Sequence, residues 1–192
     1  ANLFGRVSPT TAAHVAGEFG DSLLIIDGGA CDVGIESTIV DCTRGEPILL
    51  RPGVLTAEQL SQACGMTVIT PTKPQADAPR ASGTLDSHYA PHATVRLMAA
   101  EQIQHALMTA PVAHARVAVW ARSAVHVPET WAQQVTCNLM PTDALQCAHD
   151  LFAQLREFDA QGVTQIWVET PPSEVCWDGV RDRLTRAATP AG

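Results

Sequence analysis

A chain of 192 residues has room for one large domain or two small ones, and its 46% apolar content is ample for a packed core. Twelve basic against twenty acidic residues leave a net charge of −8, with the acidic excess present both before residue 70 and after Val95; this excludes the basic footprint of a strong nucleic-acid binder. No apolar run approaches the ~18 residues of a membrane span, and no charged-then-apolar targeting pattern opens the chain, so a cytoplasmic location is expected. Six cysteines without a C-x-x-C pair fit neither a disulfide framework nor a zinc site and are expected to be reduced. The start at Ala1, without methionine, predicts a missing upstream part.

In chain order, residues 8–19 read as a helix start. Ser8 stands as the N-cap, Pro9 at the first helical position, and Ala12, Val15, Ala16 and Phe19 recur at helical spacing. The run Ser22–Asp27, ending in Gly28-Gly29, predicts a buried strand and a turn. Glu36–Cys42 and Pro47–Arg51 predict two strands joined at residues 43–46, and Thr56–Cys64 a short helix opened by Thr56. From Thr70 to Thr94, four prolines and Ser82-Gly83 erase any period. A stretch of roughly 25 such residues is an interdomain connection or a functional lid. Strand Val95–Met98, helix Ala100–Thr109 and strands Arg116–Ala121 and Val135–Leu139 follow. Helix Asp143–Gln161 is closed by Gly162, and strand Thr164–Glu169 leads to helix Val175–Ala188. This alternation predicts a mainly parallel sheet in a small Rossmann-like domain. The organisation expected is therefore α/β, with an incomplete unit at 1–70, a linker at 71–94 and a C-terminal domain at 95–192.

Four clusters carry chemistry. Gly5 and Ser8-Pro9-Thr10-Thr11 form a hydroxyl-rich helix N-terminus that suits an anion, or an ordinary capped helix. Glu36-Ser37-Thr38 places two hydroxyls beside a carboxylate at a strand entry, a pattern that also occurs without function. Arg51, at the end of an apolar strand before Pro52-Gly53, is placed to meet a phosphate with its guanidinium fork, or simply to reach solvent. Pro79-Arg80-Ala81-Ser82-Gly83 with His88-Tyr89-Ala90-Pro91 fits a substrate-covering loop as well as a plain linker.

Taken in order and spacing, these runs resemble the long form of the YrdC-type threonylcarbamoyl-AMP synthase family. The residues that carry the resemblance are Ala1-Asn2, Gly5, Ser8-Pro9-Thr10, Asp27-Gly28-Gly29, Glu36 to Asp41, Leu50 to Gly53, Pro79 to Pro91, and Arg181-Asp182-Arg183-Leu184. The resemblance implies a partial YrdC-like catalytic domain, a linker and a small Rossmann-like C-terminal domain. It also implies a nucleotidyltransferase that condenses L-threonine, bicarbonate and ATP, with Mg2+, into threonylcarbamoyl-AMP and pyrophosphate. The product would pass to the threonylcarbamoyl transferase complex that modifies tRNA; at most a weak RNA contact is implied, and no membrane.

By the same resemblance Asn2, Thr10, Arg51 and Tyr89 are nucleotide contacts and Ser37 binds threonine, with Ser8, His88 and Arg80 in second rank. The family's basic motif for the triphosphate is not in this sequence, so the chain alone is expected to be inactive. A carbamoyl-transfer relative, which should lack the C-terminal domain, and a non-catalytic nucleotide- or RNA-binding module are the competing readings.

Overall fold

The computed structural model describes residues 2–71, 79, 81–85, 87–109 and 115–189. Helix α1 (Ala12–Phe19) starts later than the sequence suggests, because Thr11 rather than Ser8 is its cap. Thr11 is extended, and its hydroxyl accepts from the His14 amide at 3.2 Å. Ser8 instead donates its hydroxyl to Glu36. The expected strand Ser22–Asp27 is not formed. Residues 20–22 make a 3-10 turn, and Leu24 and Ile26 are 89% and 90% exposed. An apolar strand is buried only between partners, and no described segment pairs with this one.

Strands β1 (Ile39–Asp41) and β2 (Ile48–Arg51) pair antiparallel, with an irregularity in register between Ile39 and Val40. β1 is shorter than the Glu36–Cys42 expected, since other groups claim the Glu36 and Ser37 carbonyls. Helix α2 (Ala57–Cys64) is opened by Thr56, as expected. The Thr56 hydroxyl and the Gln59 amide side chain cap each other's backbone N–H.

The second half follows the predicted rhythm closely. It comprises β3 (Thr94–Met98), α3 (Ala100–Thr109), β4 (Val117–Ala121), β5 (Val135–Leu139), α4 (Ala144–Ala160), β6 (Gln165–Glu169) and α5 (Asp178–Ala188). Residues 175–177, expected as helix, form a 3-10 turn ahead of α5. The four strands make one parallel sheet in the order β3-β6-β4-β5. β4 is buried at every position, as a central strand covered on both faces must be. Val117, Val119, Ala121 and Trp167 meet Ile103 and Leu107 of α3 on one face. On the other, Ala118, Trp120, Ile166 and Val168 meet Leu151, Phe152 and Leu155 of α4 and Val180 and Leu184 of α5. Each such fully buried side chain stabilises by roughly 1.5–3 kcal/mol over exposure.

Val7, Ile35 and Tyr89 belong to this second cluster, so the segments carrying the sequence motifs pack against the α4–α5 side. Among the described residues no helix is long and apolar enough to cross a membrane.

Candidate functional site

β2 ends in Arg51, which is only 5% exposed. Its Nε and Nη2 both donate to the Ser37 carbonyl, at 3.1 and 2.9 Å, and Nη1 donates to the Ser82 carbonyl at 2.8 Å. Three of its five N–H groups thus hold the strand entry and the linker together. The guanidinium is fixed by two carbonyls, just before the Pro52-Gly53 turn. Ser37 itself is exposed, and its hydroxyl makes no hydrogen bond among the described residues. The linker's other contribution is Tyr89, the one described non-glycine residue with positive φ, at 61°.

The Tyr89 ring is 1% exposed and packs 5.2 Å from Phe152. Its buried hydroxyl has no hydrogen-bond partner among the described residues, and burial pushes the phenol pKa up. A methyl built on Gly83 (φ +72°) would fall 1.9 Å from that hydroxyl and 3.2 Å from Arg51 Nη1, so Tyr89 and Arg51 border the same glycine. His88 stacks edgewise on Tyr89 at 4.2 Å; burial lowers its pKa, and its Nδ1 is buried without a partner. Beside these groups a cleft of about 400 Å3 opens between Asp41 and Leu50 on the strands, Thr43 just after β1, and Pro79 and Ser82 on the linker.

The structure therefore brings Ser37, Arg51 and Tyr89 together. Asn2 and Thr10 form no hydrogen bond to this group. The Asn2 amide donates to the Leu3 and Arg6 carbonyls, closing the turn at residues 3–6. Thr10 is 6% exposed, its hydroxyl lies 3.2 Å from His14 Nδ1, and its carbonyl accepts from Cys31. Ala1 and Arg80 lie outside the described residues.

Two arginines that the sequence reading did not rank complete the arrangement. Arg156 of α4 donates to the carbonyls of Val7 and Ser8 and pairs with Glu18 at 2.8 Å. Arg183 of α5 pairs with Glu36 at 3.0 Å and donates to the Glu36 and Pro52 carbonyls. The signal for Arg183 was present: it stands three residues after Val180 and four before Ala187, a charge on an apolar helical stripe.

Comparison with known proteins follows this geometry. The profile described as "Threonylcarbamoyl-AMP synthase, C-terminal domain" matches residues 55–189, and the one described as "Telomere recombination" matches residues 1–53. Proteins named threonylcarbamoyl-AMP synthase are similar to 98% of this chain, at 32% identity in both Pyrococcus abyssi and Bacillus subtilis. The chain covers 56% and 55% of those two proteins, about half the length of the curated relatives it matches. Among solved structures, P. abyssi Sua5 complexed with L-threonine aligns with 97% of this chain and 56% of its own, at TM-score 0.79 and 30% identity. A variant of the same protein, with an adjacent histidine and tyrosine both changed to alanine, aligns with 97% of this chain and 55% of its own at TM-score 0.82 and 27% identity.

Proposed function

The chain belongs to the threonylcarbamoyl-AMP synthase family, and from that membership we propose that the enzyme it represents makes threonylcarbamoyl-AMP from L-threonine, bicarbonate and ATP. The threonine amine takes up carbon dioxide from bicarbonate, releasing water. A carbamate oxygen then attacks the α-phosphorus of ATP, and the bond to pyrophosphate breaks. The mixed anhydride is labile and would serve the tRNA-modifying threonylcarbamoyl transferase complex.

The observation that carries this reading is the meeting of Ser37, Arg51 and Tyr89 in a chain that aligns with a threonine-bound relative. In it, the exposed Ser37 hydroxyl contacts threonine. Two N–H groups of Arg51, without an acceptor among the described residues, would meet a phosphate oxygen, and Tyr89 lies against the nucleotide. His88-Tyr89 is this sequence's sole His-Tyr pair, and the solved double variant supports attention to it. Asn2 and Thr10 would serve the nucleotide from the turn at residues 3–6 and the start of α1. Mg2+ would arrive with the triphosphate. Among the described residues no cluster of three His, Cys, Asp or Glu side chains fits a protein cage for it, and Mg2+ ordinarily needs none when phosphates ligate it.

The described cations near the site are few and largely engaged. Arg6 faces Asp159 at 3.6 Å, Arg44 pairs with Asp41 at 2.8 Å, and Arg51 holds carbonyls. With so little charge left for a triphosphate, the 192-residue chain alone should release no pyrophosphate. Calorimetric titration tests the ligand assignments. Ser37→Ala should weaken L-threonine binding and leave ATP unchanged. Arg51→Ala should weaken ATP roughly 10- to 150-fold, and Arg51→Lys should rescue it only in part, charge-assisted bonds contributing ~1.5–3 kcal/mol. Equal affinities throughout, with folding intact, would remove the site.

A further inference from the structure

The segments of the candidate site come from the first half of the chain and the linker, yet the side chain that ties them together comes from α5. Arg183 is 0% exposed and lies on the helix's apolar stripe with Val180, Leu184 and Ala187. Its Nε donates to Glu36 Oε2 at 3.0 Å and its Nη2 to the Glu36 carbonyl at 3.0 Å. Its Nη1 donates to the Pro52 carbonyl and, at 3.1 Å, to Asp182. Its guanidinium carbon lies 5.5 Å from the centre of the Tyr89 ring, within the range of a cation–π contact.

Arg51 grips the Ser37 carbonyl, so two consecutive carbonyls are held by two buried arginines from different elements. Glu36 is held a second time by the Ser8 hydroxyl, and the Ser8 carbonyl is held by Arg156. An apolar side chain stabilises when buried at such a position, whereas a cation there costs free energy unless its donors are matched. Here the matched partners are the residues that flank Ser37 and Arg51, together with the ring of Tyr89.

We propose that Arg183 is a positioning residue for this site: it fixes Glu36-Ser37, Pro52 and the Tyr89 ring in the arrangement that binds L-threonine. The C-terminal helix is then part of the binding apparatus although it touches no ligand. This rests on the reading of Ser37 as the threonine contact, and the test separates the two. The 192-residue chain contains a single tyrosine, so replacing it with 3-fluorotyrosine gives one fluorine resonance, from Tyr89. Arg183→Gln and Arg183→Lys are compared with the parent and with Ile103→Val, a control on the opposite face of the sheet. The readouts are the fluorine spectrum, titration with L-threonine, and the urea midpoint.

Arg183→Gln should move the resonance and weaken L-threonine roughly 10- to 100-fold. Arg183→Lys keeps charge without the fork and should recover both only in part. Ile103→Val should lower the midpoint and change neither. Threonine affinity of Arg183→Gln within about twofold of the parent overturns the proposal, and so does an equal weakening in Ile103→Val. If the parent itself fails to bind L-threonine, the Ser37 assignment falls; Arg183 is then judged on the resonance, which must move in Arg183→Gln. Should that variant not fold, an unmoved resonance in Arg183→Lys overturns the proposal.

Discussion

Tyr89 combines a left-handed backbone, a ring held between Phe152 and Arg183, and a buried hydroxyl with no partner among the described residues. An unpaired buried hydroxyl costs on the order of 1–3 kcal/mol, so deleting it removes a penalty. Tyr89→Phe should therefore unfold at an equal or higher urea midpoint, whereas Tyr89→Ala should lose about 3–5 kcal/mol. If the hydroxyl serves the nucleotide, Tyr89→Phe will bind ATP more weakly while being no less stable, and titration beside urea unfolding separates the two effects. Tyr89 and Arg51 were legible as candidates because their motifs are short and local. For Arg183 the apolar stripe around it signals burial, but its partner Glu36 lies 147 residues away and nothing local names that partner.

At the scale of the element, α5 approaches the Pro52-Gly53 turn so closely that only glycine fits at position 179. A methyl there would lie 2.8 Å from the Gly53 carbonyl oxygen and 2.9 Å from Ile35 Cδ1. Glycine to alanine inside a helix ordinarily stabilises by about 0.5–1 kcal/mol, and Gly17 of α1, with nothing within 4 Å, should follow that rule. Gly179→Ala should reverse the sign and cost about 1–3 kcal/mol. Urea midpoints of the two variants check the prediction directly. Most elements from Thr94 onward were readable from period and burial, and in α4 the Asp143 cap agrees with both; α5 has no side-chain cap, and its start was read too early. Ser22–Asp27 was misread because an apolar run specifies burial only when a partner strand is present. The cap of α1 was misplaced because Glu36, distant in sequence, claims Ser8.

For the whole molecule, the parallel sheet carries one cluster that belongs wholly to the second half and another shared with Val7, Ile35 and Tyr89. A piece spanning residues 95–192 should fold but unfold at lower urea than the intact chain, and limited proteolysis should cut first within residues 71–94. Loss of 95–192 before 1–70 would contradict this.

Acid should act on the molecule in two stages. Burial lowers the pKa of His14 and His88, so the unfolded chain takes up these protons first, near pH ~6.5. Stability present above that pH should decline as pH falls through it toward the lower folded values. A second decline should follow below about pH 4. The Thr43 hydroxyl and amide, with Arg44, hold Asp41 low; Arg156 and the Leu3 amide outweigh burial to do the same for Glu18. Urea midpoints from pH 8 to about 2 should show both steps, and His88→Gln should shrink the first.

The link between Glu36 and Arg183 also has a place in time. A ribosome extends a chain at roughly 5–20 residues per second, so the Glu36 segment waits roughly 7–30 s for the arginine that neutralises it. During that interval its carboxylate remains hydrated and the strand entry unsettled, while α1, β1 and β2 have all been synthesised. Protease pulses on nascent chains stalled before Asp178 should therefore cut around Glu36-Ser37, and protection should appear only once α5 has emerged.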